Sequence, residues 1–145
     1  MTATAGRLYT PELLALAVEL AASPLTSDLP LRGNARSRSC GSTLEMGLAL
    51  DDGGTIARIG VSAAACAVGQ AATALFIRSA PGKTEREIAA SRDALDRWLG
   101  GSEAMPDWPE IAILRPARDH PGRHGAIMLA WNAALAALSN PAVPS

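Results

Sequence analysis

Residues 40–66, CGSTLEMGLALDDGGTIARIGVSAAAC, decide the fold of this 145-residue chain. Apolar residues alternate with polar or small residues on either side of the centre of this stretch. They are Leu44, Met46, Leu48 and Leu50 before the centre, and Ala57, Ile59 and Val61 after it. The centre, residues 51–54, is DDGG, which has the composition of a turn. A period of two residues on both sides of a turn predicts a β-hairpin with one buried face.

A helix and a loop are predicted before this hairpin. Thr10 and Pro11 have the form of an N-cap followed by proline at the first helical position, and the helix is expected to end before Pro24. Its predicted apolar face consists of Leu13, Leu14, Ala17, Val18 and Ala21. Residues 24–39 are polar and punctuated by Pro and Gly, which predicts a loop with a short edge strand near residues 32–37.

Helical patterns also follow the hairpin. Residues 66–78 are nearly all apolar and predict a helix that is buried by its neighbours. A second helix begins at the capping box of residues 84–87 and ends at Gly100, and its apolar stripe is Ile88, Leu95, Trp98 and Leu99. Residues 102–123 contain four prolines and predict a long connection before a last helix at about residues 125–138.

The order of these elements predicts an α+β fold, a small antiparallel sheet with helices packed on one face. Length and hydrophobic content, 48%, are those of a single domain over residues 1–145 with a core at about 8–138. A net charge of −1 does not attract nucleic acid or an anionic membrane. No apolar run reaches the ~18 residues of a membrane span, and the N-terminus lacks the pattern of a secretory leader. We therefore expect a cytoplasmic protein that has neither nucleic acid nor a membrane as a partner.

The two cysteines are the first candidates for chemistry. Cys40 lies just before the hairpin and Cys66 follows its second strand, so the hairpin would make the two thiols neighbours. A helix that starts at Cys66 would stabilise its thiolate, the form that binds metal and attacks sulfur. The alternative is that Cys66 is simply a small buried apolar residue, which composition alone favours.

Histidines and arginines lie near the same regions. His124 stands directly before the last helix, where the positive helix end favours the neutral imidazole that ligates metals. His120 lies four residues earlier, but Pro121 and Gly122 argue against a continuous helix that would pair the two imidazoles. A basic rim that could dock an acidic partner is formed by Arg36, Arg38, Arg115, Arg118 and Arg123.

Together these features resemble the U-type iron–sulfur cluster assembly scaffold family, which includes the N-terminal domain of NifU, IscU and SufU. The resemblance is carried by Leu8-Tyr9 at the first helix, Ser39-Cys40-Gly41 at the hairpin, Cys66 at a helix start and His124 at the last helix. It covers about residues 8–138. Residues 83–120 and the final helix are similar to the SufU-like branch.

The resemblance implies zinc or a transient iron–sulfur cluster held by three cysteines and an aspartate, with sulfur supplied by a cysteine desulfurase. Cys40 and Cys66 match the first two cysteines, and His124 matches a histidine that precedes the third. Ser42 stands at the aspartate position and Gly125 at the position of the third cysteine. Cys40, Cys66 and His124 would therefore leave one of four metal positions to water or a partner. Ser42→Asp with Gly125→Cys is expected to rebuild the set and tighten zinc binding.

Three hypotheses follow. The leading one is a scaffold-like or sulfur-transfer accessory that binds zinc, iron or a transient cluster through Cys40, Cys66 and His124. Cys40 would be its catalytic residue and would accept sulfur, and its partners would be a cysteine desulfurase and other cluster-assembly proteins. The alternative is a metal-free interaction module that docks the desulfurase or another assembly partner but has lost the chemistry. The third is an unrelated α+β binding domain with structural cysteines.

Overall fold

The computed structural model describes residues 8–139. The main elements are α1 (Pro11–Glu19), β1 (Leu31–Arg36), β2 (Thr43–Leu50), β3 (Ile56–Ala64), α2 (Ala67–Ser79), α3 (Glu85–Leu99) and α4 (His124–Ser139). Three 3-10 helices are interspersed, at Leu20–Ala22, Ile111–Asp119 and Pro121–Arg123. Within this part of the chain, the helices are too short or too polar to cross a bilayer.

The sheet has three antiparallel strands in the order β1-β2-β3. The predicted hairpin is β2 with β3, and the edge strand expected near residues 32–37 is β1. The buried face of β2 carries Leu44, Met46 and Leu48, as its alternation indicates. Helices pack on this face, and the α+β fold class predicted from the sequence is confirmed.

The prediction that Ala57 lies on the buried face is wrong. Leu48 pairs with Ile59, but Leu50 pairs with Ile56, so the register shifts by one residue between Ala49 and Leu50. An extra residue of this kind is a β-bulge, and it changes the face that the following side chains occupy. As a result Ile56 is buried and Ala57 is exposed.

α4 lies directly across β1 and β2, and a glycine in β1 permits its close approach. A Cβ at Gly33 would lie 2.9 Å from Cα of Ala137 and would clash with the backbone at Ala133. Only a residue without a side chain fits under the helix here. The second half of α4 therefore lies in close contact with β1.

The first helix begins as predicted, because the Thr10 hydroxyl accepts a hydrogen bond of 3.2 Å from the Leu13 amide. Its predicted apolar face is partly wrong. Leu13 and Leu16 are buried, whereas Leu14 is 44% and Val18 76% exposed. The helix packs on α2 along one narrow stripe, so an apolar residue next to that stripe in sequence still faces solvent.

The remaining helices start and stop close to their predicted bounds. Both hydrogen bonds of the capping box at Thr84 and Glu87 are present at the start of α3. The connection of residues 102–123 is more ordered than expected, because Trp108 is buried and anchors it to the core. Its ring is stacked 5.4 Å from that of Phe76, and its Nε1 donates to the Leu75 carbonyl at 2.9 Å.

Candidate functional site at the end of the sheet

Cys40 lies in the short loop, residues 37–42, that connects β1 to β2. The loop is closed by two backbone hydrogen bonds, from the Ser37 amide to Ser42 O at 2.8 Å and from the Gly41 amide to Ser37 O at 2.9 Å. Gly41 has a φ of +73°, a conformation that glycine adopts far more readily than residues with a Cβ atom. The Cys40 thiol is therefore held at an exposed loop tip of defined geometry.

The register of the sheet brings this loop to the same end as the residues that follow β3. Arg36 pairs with Thr43, and Thr43 pairs with Ala64. The β1–β2 loop and the segment after β3 therefore lie at the same end of the strands. Cys66 follows Ala64 by two residues and is the N-cap of α2.

The first turns of α2 and α4 meet at this end as well. A Cβ at Gly69 of α2 would lie 3.2 Å from the Cβ of Ala126 in α4. The Ser39 hydroxyl donates to the Gly122 carbonyl at 3.0 Å, which ties the Cys40 loop to the residues just before α4. Cys40, Cys66 and the start of α4 thus belong to one end of the sheet.

Two hydroxyl groups contact the Cys40 sulfur. Sγ lies 3.3 Å from Ser37 Oγ and 3.1 Å from Ser42 Oγ, both within hydrogen-bond reach. The Ser37 hydroxyl, then the hydroxyl and backbone of Ser42, and to a lesser extent the charge of Arg123, lower the pKa of Cys40 to about 7. Hydrogen bonds and a positive charge favour the thiolate, so Cys40 can act as a nucleophile at neutral pH.

Ser37 fills the space beside Gly125. It is 2% exposed, and a Cβ at Gly125 would clash with Ser37 Oγ and lie 3.2 Å from Ser37 Cβ. Ser39 Oγ lies 3.2 Å from Ser37 Oγ and 3.5 Å from the same Cβ position. The space that a side chain at residue 125 would need is therefore already filled by the Cys40 loop.

His124 is the first residue of α4 and is half-buried. Its Nε2 lies 2.9 Å from the Arg118 carbonyl oxygen. A carbonyl only accepts hydrogen bonds, so Nε2 carries the proton and the lone pair of a neutral ring is on Nδ1. The side chain therefore keeps one nitrogen that can act as a ligand.

The predicted basic rim is only partly available. Arg118 donates to Trp98 O at 3.0 Å and to Ser102 O at 2.9 Å, and its guanidinium lies 4.9 Å from the Trp98 ring centre. It anchors the connection before α4 and is not a free cation. Arg123 is near enough to Cys40 for its charge to favour the thiolate, and it also donates to the Tyr9 hydroxyl at 3.4 Å.

The donor set does not fit a four-coordinate metal or cluster. Among residues 8–139, no group of three or more His, Cys, Asp or Glu side chains is arranged to hold a metal ion. Ser42 offers a neutral hydroxyl, and Gly125 offers no donor. Ligation of a metal by the smaller set of Cys40, Cys66 and His124 stays a prediction.

Ser37 is the residue of this site that the sequence did not single out. The motif that carried the resemblance begins at Ser39, and nothing in its spacing points three residues back from Cys40. The one available signal was composition, because three of the six residues in SRSCGS are serines.

No protein-family model and no curated protein matches the sequence. Solved structures do match. The crystal structure of the N-terminal part of a nitrogen-fixing NifU-like protein from Brucella abortus has a TM-score of 0.84 and 25% sequence identity, with 94% of this chain and 95% of that chain covered. A proposed iron–sulfur cluster assembly scaffold protein for the SUF system from Fervidobacterium islandicum has a TM-score of 0.77 and 20% identity, with 90% and 96% covered.

These neighbours span nearly the whole described fold, from α1 to α4. They come from both the NifU-like and the SUF groups, so the SufU-like branch stays a prediction. The resemblance that was first indicated by Cys40, Cys66 and His124 is confirmed for the architecture that carries them. The chain has the fold of the U-type iron–sulfur cluster assembly scaffold family.

Proposed function

We propose that this chain accepts sulfur from a cysteine desulfurase on Cys40 and hands it on during iron–sulfur cluster assembly. The observation that carries the proposal is the exposed Cys40 sulfur between the hydroxyls of Ser37 and Ser42, with a pKa of about 7. The name of the SUF neighbour, an assembly scaffold, supports the same process. We place the protein in the cytoplasm, where both thiols stay reduced.

The chemical step is a thiolate attack on a persulfide. The Cys40 thiolate attacks the terminal sulfur of the desulfurase persulfide and forms a new sulfur–sulfur bond. The original sulfur–sulfur bond breaks, the desulfurase cysteine leaves as a thiolate, and the transferred sulfur keeps its proton. No electron acceptor is needed, because a persulfide is exchanged for a persulfide.

The residues around Cys40 have defined roles in this step. The hydroxyls of Ser37 and Ser42 donate to the thiolate before attack, which raises the fraction that is reactive at neutral pH. The positive charge of Arg123 favours the same ionised form and would also attract an acidic partner surface.

The second candidate is the metal-free interaction module that docks a desulfurase or another assembly partner. It is favoured by Ser42 and Gly125, which have replaced two ligand side chains of the family. The two candidates differ at Cys40: sulfur transfer needs its thiol, whereas a docking module keeps its partner when Cys40 is serine.

Transfer of radiolabelled sulfur tests the proposal. The reduced full chain is incubated with a cysteine desulfurase and cysteine that carries labelled sulfur, and bound label is measured without a reducing agent. We expect label on the native chain and on Cys66→Ser, but none on Cys40→Ser. Equal labelling of Cys40→Ser would contradict the proposal. Absence of label with retained desulfurase binding would favour the interaction module.

A further inference from the structure

We propose that Ser37 closes the ligand position at Gly125, so that the four-ligand set of the family cannot form and Cys40 is kept as a sulfur acceptor. This inference rests on the proposed function of Cys40. It assigns to Ser37 the role of a positioning residue that decides between two uses of the same thiol.

Ser37 fills the space that a side chain at residue 125 would need. Ser37 Oγ lies where a Cβ at residue 125 would clash with it, and Ser37 Cβ lies 3.2 Å from that same point. The serine is 2% exposed and two backbone hydrogen bonds fix its loop, so Ser37 Cβ stays close to that point even where rotation moves Oγ. A thiol introduced at 125 alone therefore has no room to reach Cys40.

Ser37 Oγ also lies next to the Cys40 sulfur. It is 3.3 Å from Cys40 Sγ and at the same time blocks residue 125. One oxygen atom thus contacts both the Cys40 sulfur and the position of a side chain at residue 125. Ser42 Oγ, 3.1 Å from Cys40 Sγ, occupies the other substituted position.

The serine hydroxyls around Cys40 are poor metal ligands. Zinc and iron prefer thiolate, imidazole and carboxylate donors, and a neutral serine hydroxyl is a weak ligand for both. Two hydroxyls next to Cys40 stabilise a thiolate by hydrogen bonds without contributing the charge that holds a cation. A thiol in such surroundings stays available to react with sulfur.

Metal binding should be restored only when Ser37 is changed together with the two substituted ligand positions. Gly125→Cys alone, or with Ser42→Asp, should leave zinc affinity close to that of the native chain, whereas the resemblance alone predicts tighter binding in the double variant. Adding Ser37→Gly removes both the hydroxyl and the Cβ that stand in the way. The triple variant should then bind zinc more tightly by at least about tenfold, a factor that even outer-shell changes reach at metal sites.

These zinc affinities are measured by competition against a chromophoric chelator at fixed pH. The titration compares the native full chain, Gly125→Cys, the double variant and the triple variant. Ser39→Gly in place of Ser37→Gly is the matched control, because it removes a neighbouring hydroxyl that does not block residue 125 as closely. Ser37→Ala in the triple variant provides a second, less disruptive form if the first does not fold, which thermal unfolding reports.

A large gain confined to the variants that change Ser37 supports the inference. A gain of tenfold or more in Gly125→Cys or in the double variant would overturn it, and so would folded triple variants that bind no tighter than the native chain. The titration contains no desulfurase, so its failure would leave the acceptance of sulfur by Cys40 standing. Conversely, a Cys40 that receives no sulfur leaves the zinc result and the steric role of Ser37 unchanged, and removes the proposed function together with the sulfur-acceptor role that the inference takes from it.

Discussion

Ser37 Oγ occupies the volume that a side chain at Gly125 would need, and the same oxygen lies 3.3 Å from the Cys40 sulfur. A loop serine and a helix glycine are thus fitted to each other next to the reactive thiol. This fit links the stability of the fold to the chemistry of the site, and both can be measured.

Gly125→Ala should destabilise the protein, because the new methyl group overlaps Ser37. Overpacking of a closely packed site costs about 1–3 kcal/mol in the free energy of unfolding. Urea denaturation of the native chain and the variant measures the change. Gly122→Ala is the control, since a Cβ there meets nothing within 4 Å.

Ser37→Gly should relieve part of that cost when it is combined with Gly125→Ala. The two residues touch, so their coupling in a double-mutant cycle is expected to be about 0.5–3 kcal/mol. Strictly additive effects would show that the two side chains do not compete for one space.

Alkylation of Cys40 should follow a titration near neutral pH. With a pKa of about 7, the thiolate is largely absent at pH 5 to 6 and dominant above pH 8, so the rate rises through pH 7. An unperturbed thiol would titrate at about pH 8.5. Iodoacetamide rates in a Cys66→Ser background measure the midpoint for Cys40 alone.

Ser37→Ala or Ser42→Ala should move that midpoint to higher pH, because each removes a hydrogen bond to the thiolate. Ser39→Ala serves as the comparison, since its hydroxyl bonds Gly122 O and is not one of the groups that lower the pKa of Cys40. If the alkylation midpoint of the native chain lies at about pH 8.5, and neither Ser37→Ala nor Ser42→Ala changes it, the role given to the two hydroxyls is contradicted.

Leu48→Ala should cost about 2–5 kcal/mol of unfolding free energy, as expected for a fully buried leucine. Leu50→Ala, in the same strand but 40% exposed, should cost much less. The unfolding free energies of both variants are measured from their denaturant midpoints, compared at the same dependence of free energy on denaturant concentration. Similar costs for the two variants would mean that the strand buries a different set of side chains.

The predicted ligand set of Cys40, Cys66 and His124 has its own test. If the three share one zinc ion, then Cys40→Ser, Cys66→Ser and His124→Ala each weaken zinc binding, while His120→Ala does not. Competition titration measures the four affinities. An unchanged affinity in His124→Ala would remove this histidine from the set.

The hairpin, the capping box and the last helix could be predicted from the sequence because each depends on residues close together in the chain. The alternation of Leu44, Met46 and Leu48 specifies a buried face whatever lies opposite it. The burial of Ile56 in place of Ala57 could not be predicted in this way, since it depends on a register shift between two strands. The exposure of Leu14 and Val18 likewise depends on where α2 lies.

The site was predictable only in part for a related reason. Cys40 and the substituted positions Ser42 and Gly125 were found because a motif joins them to known chemistry. Ser37 contributes through a contact with Gly125, 88 positions later by number, and such a contact exists only once β1 and α4 have packed together. Its buried hydroxyl has no sequence pattern of its own.

The most direct test of sulfur acceptance on Cys40 is a single transfer in the presence of a metal chelator. A desulfurase already loaded with persulfide, and freed of cysteine, is mixed with the reduced full chain, and the intact mass of the chain is recorded. Fragment masses then locate the added sulfur. We expect one added sulfur atom on the peptide that contains Cys40, at the same yield with and without chelator. Sulfur found only on Cys66, or none on the chain from a desulfurase that releases sulfur to another acceptor, would contradict the proposed function.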